Sequence, residues 1–268
     1  MNKTTSVLSR AMLASVLLLA IALTAMRIVL MNTYDAANGF YTNDALHLVL
    51  RYLLIAFAIV AFAAAYIYIK EGKIQKSERS EKIVGVIHTA VACVFTGFVV
   101  YIFARFVIPT LQDPNVASVI MALFSIVAIL YFLTHNSSDK LGDARAILCA
   151  APALVLLALV FGLYFNTGVS YINHSVILCY AAAIFLMLAT VAEANAVLQR
   201  PYLRRYMAYA PTAVVLSFAL SIPDIIFAIT NTAAPLTDVF YDIIILALGI
   251  YHFANLCVIA ASKPTEEE

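Results

Sequence analysis

Residues 51–70, RYLLIAFAIVAFAAAYIYIK, carry a cation at each end and only apolar residues and tyrosine between. As a helix rising 1.5 Å per residue the stretch is about 30 Å long, the thickness of a bilayer's hydrocarbon core. Lys70 stands where a membrane span should end, at the head of the charged run KEGKIQKSERSEK. Arg51 lies inside the opposite end, about two turns beyond Asp44, on the side from which lysine and arginine are normally absent. The stretch therefore reads as a transmembrane helix with one misplaced charge.

Seven further segments resemble it. The apolar runs lie at roughly 11–31, 45–69, 83–108, 114–134, 145–165, 171–198, 206–230 and 238–261. The chain is 64% hydrophobic and 12% charged over 268 residues, with mean hydropathy +0.97. A water-soluble domain of that length cannot hide so much apolar side chain, so its main solvent is lipid. Long runs without period-2 alternation select helices over a barrel. The expectation is an all-α bundle of eight transmembrane helices forming a single transmembrane domain over 1–268.

Both termini are expected in the cytoplasm, because that orientation puts all but three of the 16 cations inside. The three are Arg27, Arg51 and Arg105. The first segment continues to Met31, longer than a signal peptide's apolar core, so it is expected to be a retained helix rather than a cleaved leader.

The 16 basic residues nearly balance 15 acidic ones, which argues against a nucleic-acid partner. The four cysteines lie in apolar runs without metal-ligand spacing. No HExxH, GxSxG, phosphate loop or paired carboxylates at ligand spacing occur, so the chain is expected to be no enzyme and to hold no metal or cofactor. Tyrosines such as Tyr52, Tyr66, Tyr131, Tyr202 and Tyr206 fall near span ends, as an interfacial belt would.

Ionisable groups inside spans are costly, about 3 kcal/mol at mid-bilayer, and point to function or to pairing. In the outer half, Arg27, His47, Arg51, Arg105, Asp224 and Asp242 form the candidate ligand-binding set. His47 and Arg51 are four apart and share a face with Ala58, Ala61 and Ala65. Ser217, Ser221 and Asp224 make a polar stripe, and Ser175, Cys179, Ala182, Ala189 and Glu193 a small-residue stripe. Pro223 deprives the Ala219 carbonyl of its amide donor. Arg51 and Asp224, the deepest of the set, would floor a pocket. Deeper, His88, Glu193 and His252 form a candidate relay; the simpler alternative makes each an interhelical contact.

The segment NHSVILCYAAAIFLMLATVAEANAVLQRPYLRRYMAY and the turn YDAANGFY resemble those of uncharacterised multi-pass membrane proteins of anaerobic Gram-positive bacteria. In those, an E-x-R motif precedes a basic, proline-containing loop; Asn195 stands here where the arginine is usual. The resemblance implies a bacterial plasma-membrane protein and no particular activity.

The functional expectation is a protein that binds or transports a small anionic or zwitterionic solute through an outward-facing pocket lined by arginine and aspartate. The alternative is a sensory or scaffold subunit acting through helix–helix contacts, with the arginine and aspartate set a structural network. The expected partners are the lipid bilayer, a small-molecule ligand, and a membrane or cytoplasmic protein.

Overall fold

A chain surrounded by hydrocarbon must satisfy its backbone hydrogen bonds within each span, and helices result wherever the apolar runs occur. The computed structural model describes residues 3–35, 40–41, 44–70, 78–108, 116–134, 144, 147–164, 174–198, 200–230 and 236–262. Among them the long helices are α1 (Lys3–Met31), α2 (Asp44–Tyr68), α3 (Glu78–Ile102), α4 (Val116–Leu133), α5 (Ala151–Tyr164), α6 (His174–Val197), α7 (Leu203–Thr230) and α8 (Leu236–Ala261). Each of the eight expected segments is a helix. Seven are long and apolar enough to cross a membrane, and the apolar part of α4, Ser118–Leu133, is shorter. Between α1 and α2, Tyr34–Asp35 (β1) pairs antiparallel with Phe40–Tyr41 (β2). At its end α3 widens into a π-turn, Phe103–Val107, closed by the Ile108 amide on the Phe103 carbonyl at 2.9 Å.

The hub is α7, which packs on α8, α1, α6 and α2. The remaining helix contacts run α8 to α3, α3 to α4, α4 to α5, α5 to α6 and α6 to α8, while α1 also touches α8 and α2. Burial follows this order: 67% of the α8 span and 56% of the α7 span are buried, against 22% of α2, which therefore meets lipid over most of its surface. The α7–α8 crossing is close because Gly249 has no side chain; a Cβ there would lie 2.6 Å from that of Ser217. Small residues at such crossings let helix backbones approach without a hydrophobic drive from water.

Helix ends leave carbonyls without intrahelical donors, and arginines from neighbouring helices fill two of them. The Arg10 Nε donates to the Ala260 carbonyl at 3.1 Å, and the Arg204 Nε to the Ile69 carbonyl at 2.8 Å. These bonds gather the start of α1, the end of α2, the start of α7 and the end of α8 at one end of the bundle. This is the cation-rich end.

The tyrosine belt needs correction. Tyr52 and Tyr66 are exposed, but Tyr131, Tyr202 and Tyr206 are buried, because the α4 and α7 faces that carry them turn into the bundle, where polar groups await them.

Candidate functional site

Among the described residues, three sites with polar side chains within the bundle bear on function. The first is a clamp on Arg27, which is 1% exposed. Its Nη2 donates to both Asp224 carboxylate oxygens, at 2.8 and 2.9 Å, and to the Ser175 hydroxyl at 3.0 Å. Its Nη1 donates to the Ala219 carbonyl at 3.0 Å and the Leu220 carbonyl at 2.6 Å. Pro223 cannot supply the amide hydrogen that Ala219 would otherwise receive, so the guanidinium replaces it. One cation thereby joins α1, α6 and α7 and neutralises a carboxylate that would be prohibitive to bury alone.

The second group is a groove of about 270 Å³, walled by α2 and α6 and floored by α7. It lies in the half of the bundle away from the cation-rich end, reaching toward its middle. Its lining is apolar (Leu50, Leu54, Ile177, Phe185 and Leu216 among others), with His47 and Arg51 on the α2 side and Thr212 on the floor. Arg51 is exposed and makes no hydrogen bond or ion pair among the described residues. The Thr212 hydroxyl is buried without a hydrogen-bond partner.

The third group lies toward the cation-rich end. Glu193 Oε1 accepts hydrogen bonds from the Tyr251 hydroxyl and from the Asn255 amide, the latter at 3.2 Å. His252 is fully buried; its Nε2 is 3.2 Å from the Thr190 hydroxyl and its Nδ1 is 3.0 Å from the Tyr206 hydroxyl. His252 Nδ1 and Glu193 Oε2 are 4.0 Å apart. His88 on α3 sets its ring edgewise to Tyr251, centroids 5.0 Å apart, and also meets Tyr131 and Phe132. Tyr202, just ahead of α7, has its phenol pushed up to about 12 by burial and then by Glu193, so it stays a neutral donor.

The candidate residues thus divide. Arg27 and Asp224 meet in the clamp, and His47 and Arg51 meet at the groove. The reading that joined Arg51 to Asp224 is corrected: both Asp224 oxygens are held by Arg27, because α1 is the helix that lays its arginine on that turn of α7. Asp242 is buried on α8, Arg105 is exposed on the π-turn, and neither lines the groove. Among the relay candidates, His252 approaches Glu193, while His88 reaches the group by ring contact with Tyr251. Sequence reasoning missed Thr190, Thr212, Tyr206 and Tyr251. The available signal was spacing, since Tyr251 and Asn255 are four apart and share a face.

This fold defines an all-α, multi-pass membrane protein whose helices contact the lipid bilayer. Comparison of the chain with protein-family models, with curated proteins and with solved structures returns no match.

Proposed function

We propose that the chain is a non-enzymatic binding protein of the bacterial plasma membrane, taking up a small anionic amphiphile in the α2–α6–α7 groove from the outer leaflet. The observation that supports this is the company Arg51 keeps. A permanently charged guanidinium, without a protein partner among the described residues, stands about two turns inside an apolar span beside an apolar groove. Its charge calls for an anion, and the walls below it call for an alkyl chain. The groove approaches the roughly 300–1,000 Å³ of ordinary small-molecule sites, and His47 and Thr212 add polar contacts. Arg27 and Asp224 belong to the clamp and carry no ligand in this reading.

The chain contains no tryptophan but 15 tyrosines, so Phe185→Trp places a single tryptophan, excited selectively at the red edge of tyrosine absorption, in the groove wall. The test uses the full chain with Phe185→Trp in neutral-lipid nanodiscs, titrated with a dibrominated fatty acid and, separately, with a brominated anionic phospholipid. Saturable quenching by one of them, weakened about tenfold or more (about 1.4 kcal/mol) by Arg51→Gln, is the expected result. The two titrations distinguish a free acid from a membrane lipid. Quenching that does not saturate, or that is the same with Arg51→Gln, overturns the proposal.

A further inference from the structure

The cation-rich end holds a surface that neither the groove nor the clamp uses. Between Glu193 and Asp224 the chain carries three arginines, Arg200, Arg204 and Arg205, and no carboxylate. The Arg204 Nε donates to the Ile69 carbonyl at 2.8 Å, which brings Lys70, the next residue, to the start of α7. That bond engages Nε and pins the guanidinium at the α2–α7 seam, where its Nη groups are the donors a phosphate would meet. Lys70, Arg200 and Arg205 are exposed and Arg204 is half-buried. Basic side chains from two helices thus gather at one seam.

One turn nearer the middle of the membrane the same seam is aromatic. Arg205 and Tyr209 are four apart and share a face of α7, as Phe62 and Tyr66 share a face of α2. The Phe62 ring stacks on Tyr66 with centroids 4.5 Å apart and meets the Tyr209 ring at 6.2 Å. Phe62 and Tyr66 remain 43% and 42% exposed. They lie on α2, the least buried of the seven long spans. A tyrosine joins an apolar ring to a polar hydroxyl, which suits it to the level between lipid headgroup and chains.

The two levels together match one kind of molecule. A phosphate is bound by arginines, whose planar fork fits its oxygens. Below it, ester oxygens accept hydrogen bonds from phenols, and acyl chains lie against exposed rings. A free inorganic anion would use the cations and leave the aromatic wall without a role. We propose that the α2–α7 seam at the cation-rich end seats the headgroup of one anionic phospholipid from the adjoining leaflet. Its phosphate sits among Lys70, Arg200, Arg204 and Arg205, and its chains run along Phe62 and Tyr66. Basic pockets between helix ends are the usual seats of such headgroups. The lipid would tie α2 to α7 beside the Arg204–Ile69 bond, supporting the helix that has least protein around it. The site lies at the opposite end of α2 from Arg51 and does not rest on the groove.

The test uses the full chain with Ile67→Trp, an exposed position beside Tyr66 that becomes the sole tryptophan. It is placed in phosphatidylcholine nanodiscs doped with phosphatidylglycerol or, separately, phosphatidylcholine, each brominated near the head of its acyl chains. Quenching should favour brominated phosphatidylglycerol by about fivefold or more. Arg200→Gln combined with Arg205→Gln spares the Arg204–Ile69 bond and should reduce that preference to about twofold or less. Tyr209→Phe should lower it in part. Lys82→Gln, on α3 where it packs with α4 and α8, should leave it intact. Equal quenching by the two lipids, or a preference that survives loss of both arginines, overturns the inference. So does an equal loss with Lys82→Gln, which would mean surface charge alone, or no change with Tyr209→Phe. Relief of the quenching by millimolar inorganic phosphate overturns it too, by showing a site for free anions.

Discussion

Arg27 on α1 supplies the hydrogen bond that Pro223 removes from α7: its Nη1 lies 3.0 Å from the Ala219 carbonyl, four residues before the proline. The same guanidinium binds the Asp224 carboxylate one residue further on. A helix defect and a buried charge are thus resolved by a single side chain from a neighbouring helix.

Arg27→Met should therefore destabilise the protein by about 3–5 kcal/mol, the usual consequence of removing one member of a buried pair. In a Pro223→Ala background the same substitution should cost less, since residue 223 then donates its own amide to Ala219. A double-mutant cycle by denaturation in detergent measures the difference. Additivity within about 0.5 kcal/mol would mean that Arg27 does not serve the proline gap.

Gly249→Ala should push α7 and α8 apart, because the new methyl meets Ser217 Cβ at 2.6 Å and its Oγ at 3.0 Å. A loss of about 1–3 kcal/mol is expected, as for other overpacked sites. Ser217→Ala keeps the offending Cβ and should not restore stability. Ser217→Gly removes it and should recover most of the loss, less about 1 kcal/mol for glycine within a helix.

Substitutions in the third polar group should be unequal. After Glu193→Leu the Tyr251 hydroxyl and Asn255 amide lose the acceptor they share, at about 1–3 kcal/mol for each group left unsatisfied. After His252→Leu both hydroxyls keep an acceptor, Thr190 on the Leu186 carbonyl and Tyr206 on the carbonyl of residue 252. Thermal unfolding should rank Glu193→Leu well below His252→Leu, and the reverse order would refute this assignment of donors.

Arg204→Ala should loosen the end of α2 by taking the donor from the Ile69 carbonyl. The bond is only partly buried, so the global loss should be about 1 kcal/mol. Hydrogen exchange should accelerate in the last turn of α2 and leave its middle unchanged.

The spans and their helical nature were legible in the sequence because the rule that decides them is local. Twenty apolar residues in hydrocarbon must bond their own backbone, and a proline at 223 must free the carbonyl at 219 wherever the helix goes. The facing of Ser217, Ser221 and Glu193 was legible for the same reason, since a period of 3.6 fixes which residues share a side. The tyrosines misled because a position near a span's end is occupied alike by belt residues and by buried donors. Only their partners distinguish the two.

Which helix meets which depends on all the surfaces at once. Arg27 and Arg51 occupy similar positions near span ends, and nothing in either span says that the first closes on Asp224 while the second borders a groove. That choice follows from α7 taking the hub, with α1, α2, α6 and α8 around it. Apolar contact among membrane helices is nearly indifferent to partner, so close packing at Gly249 and a few directional hydrogen bonds select the arrangement. Both come into being only when distant residues are brought together in space.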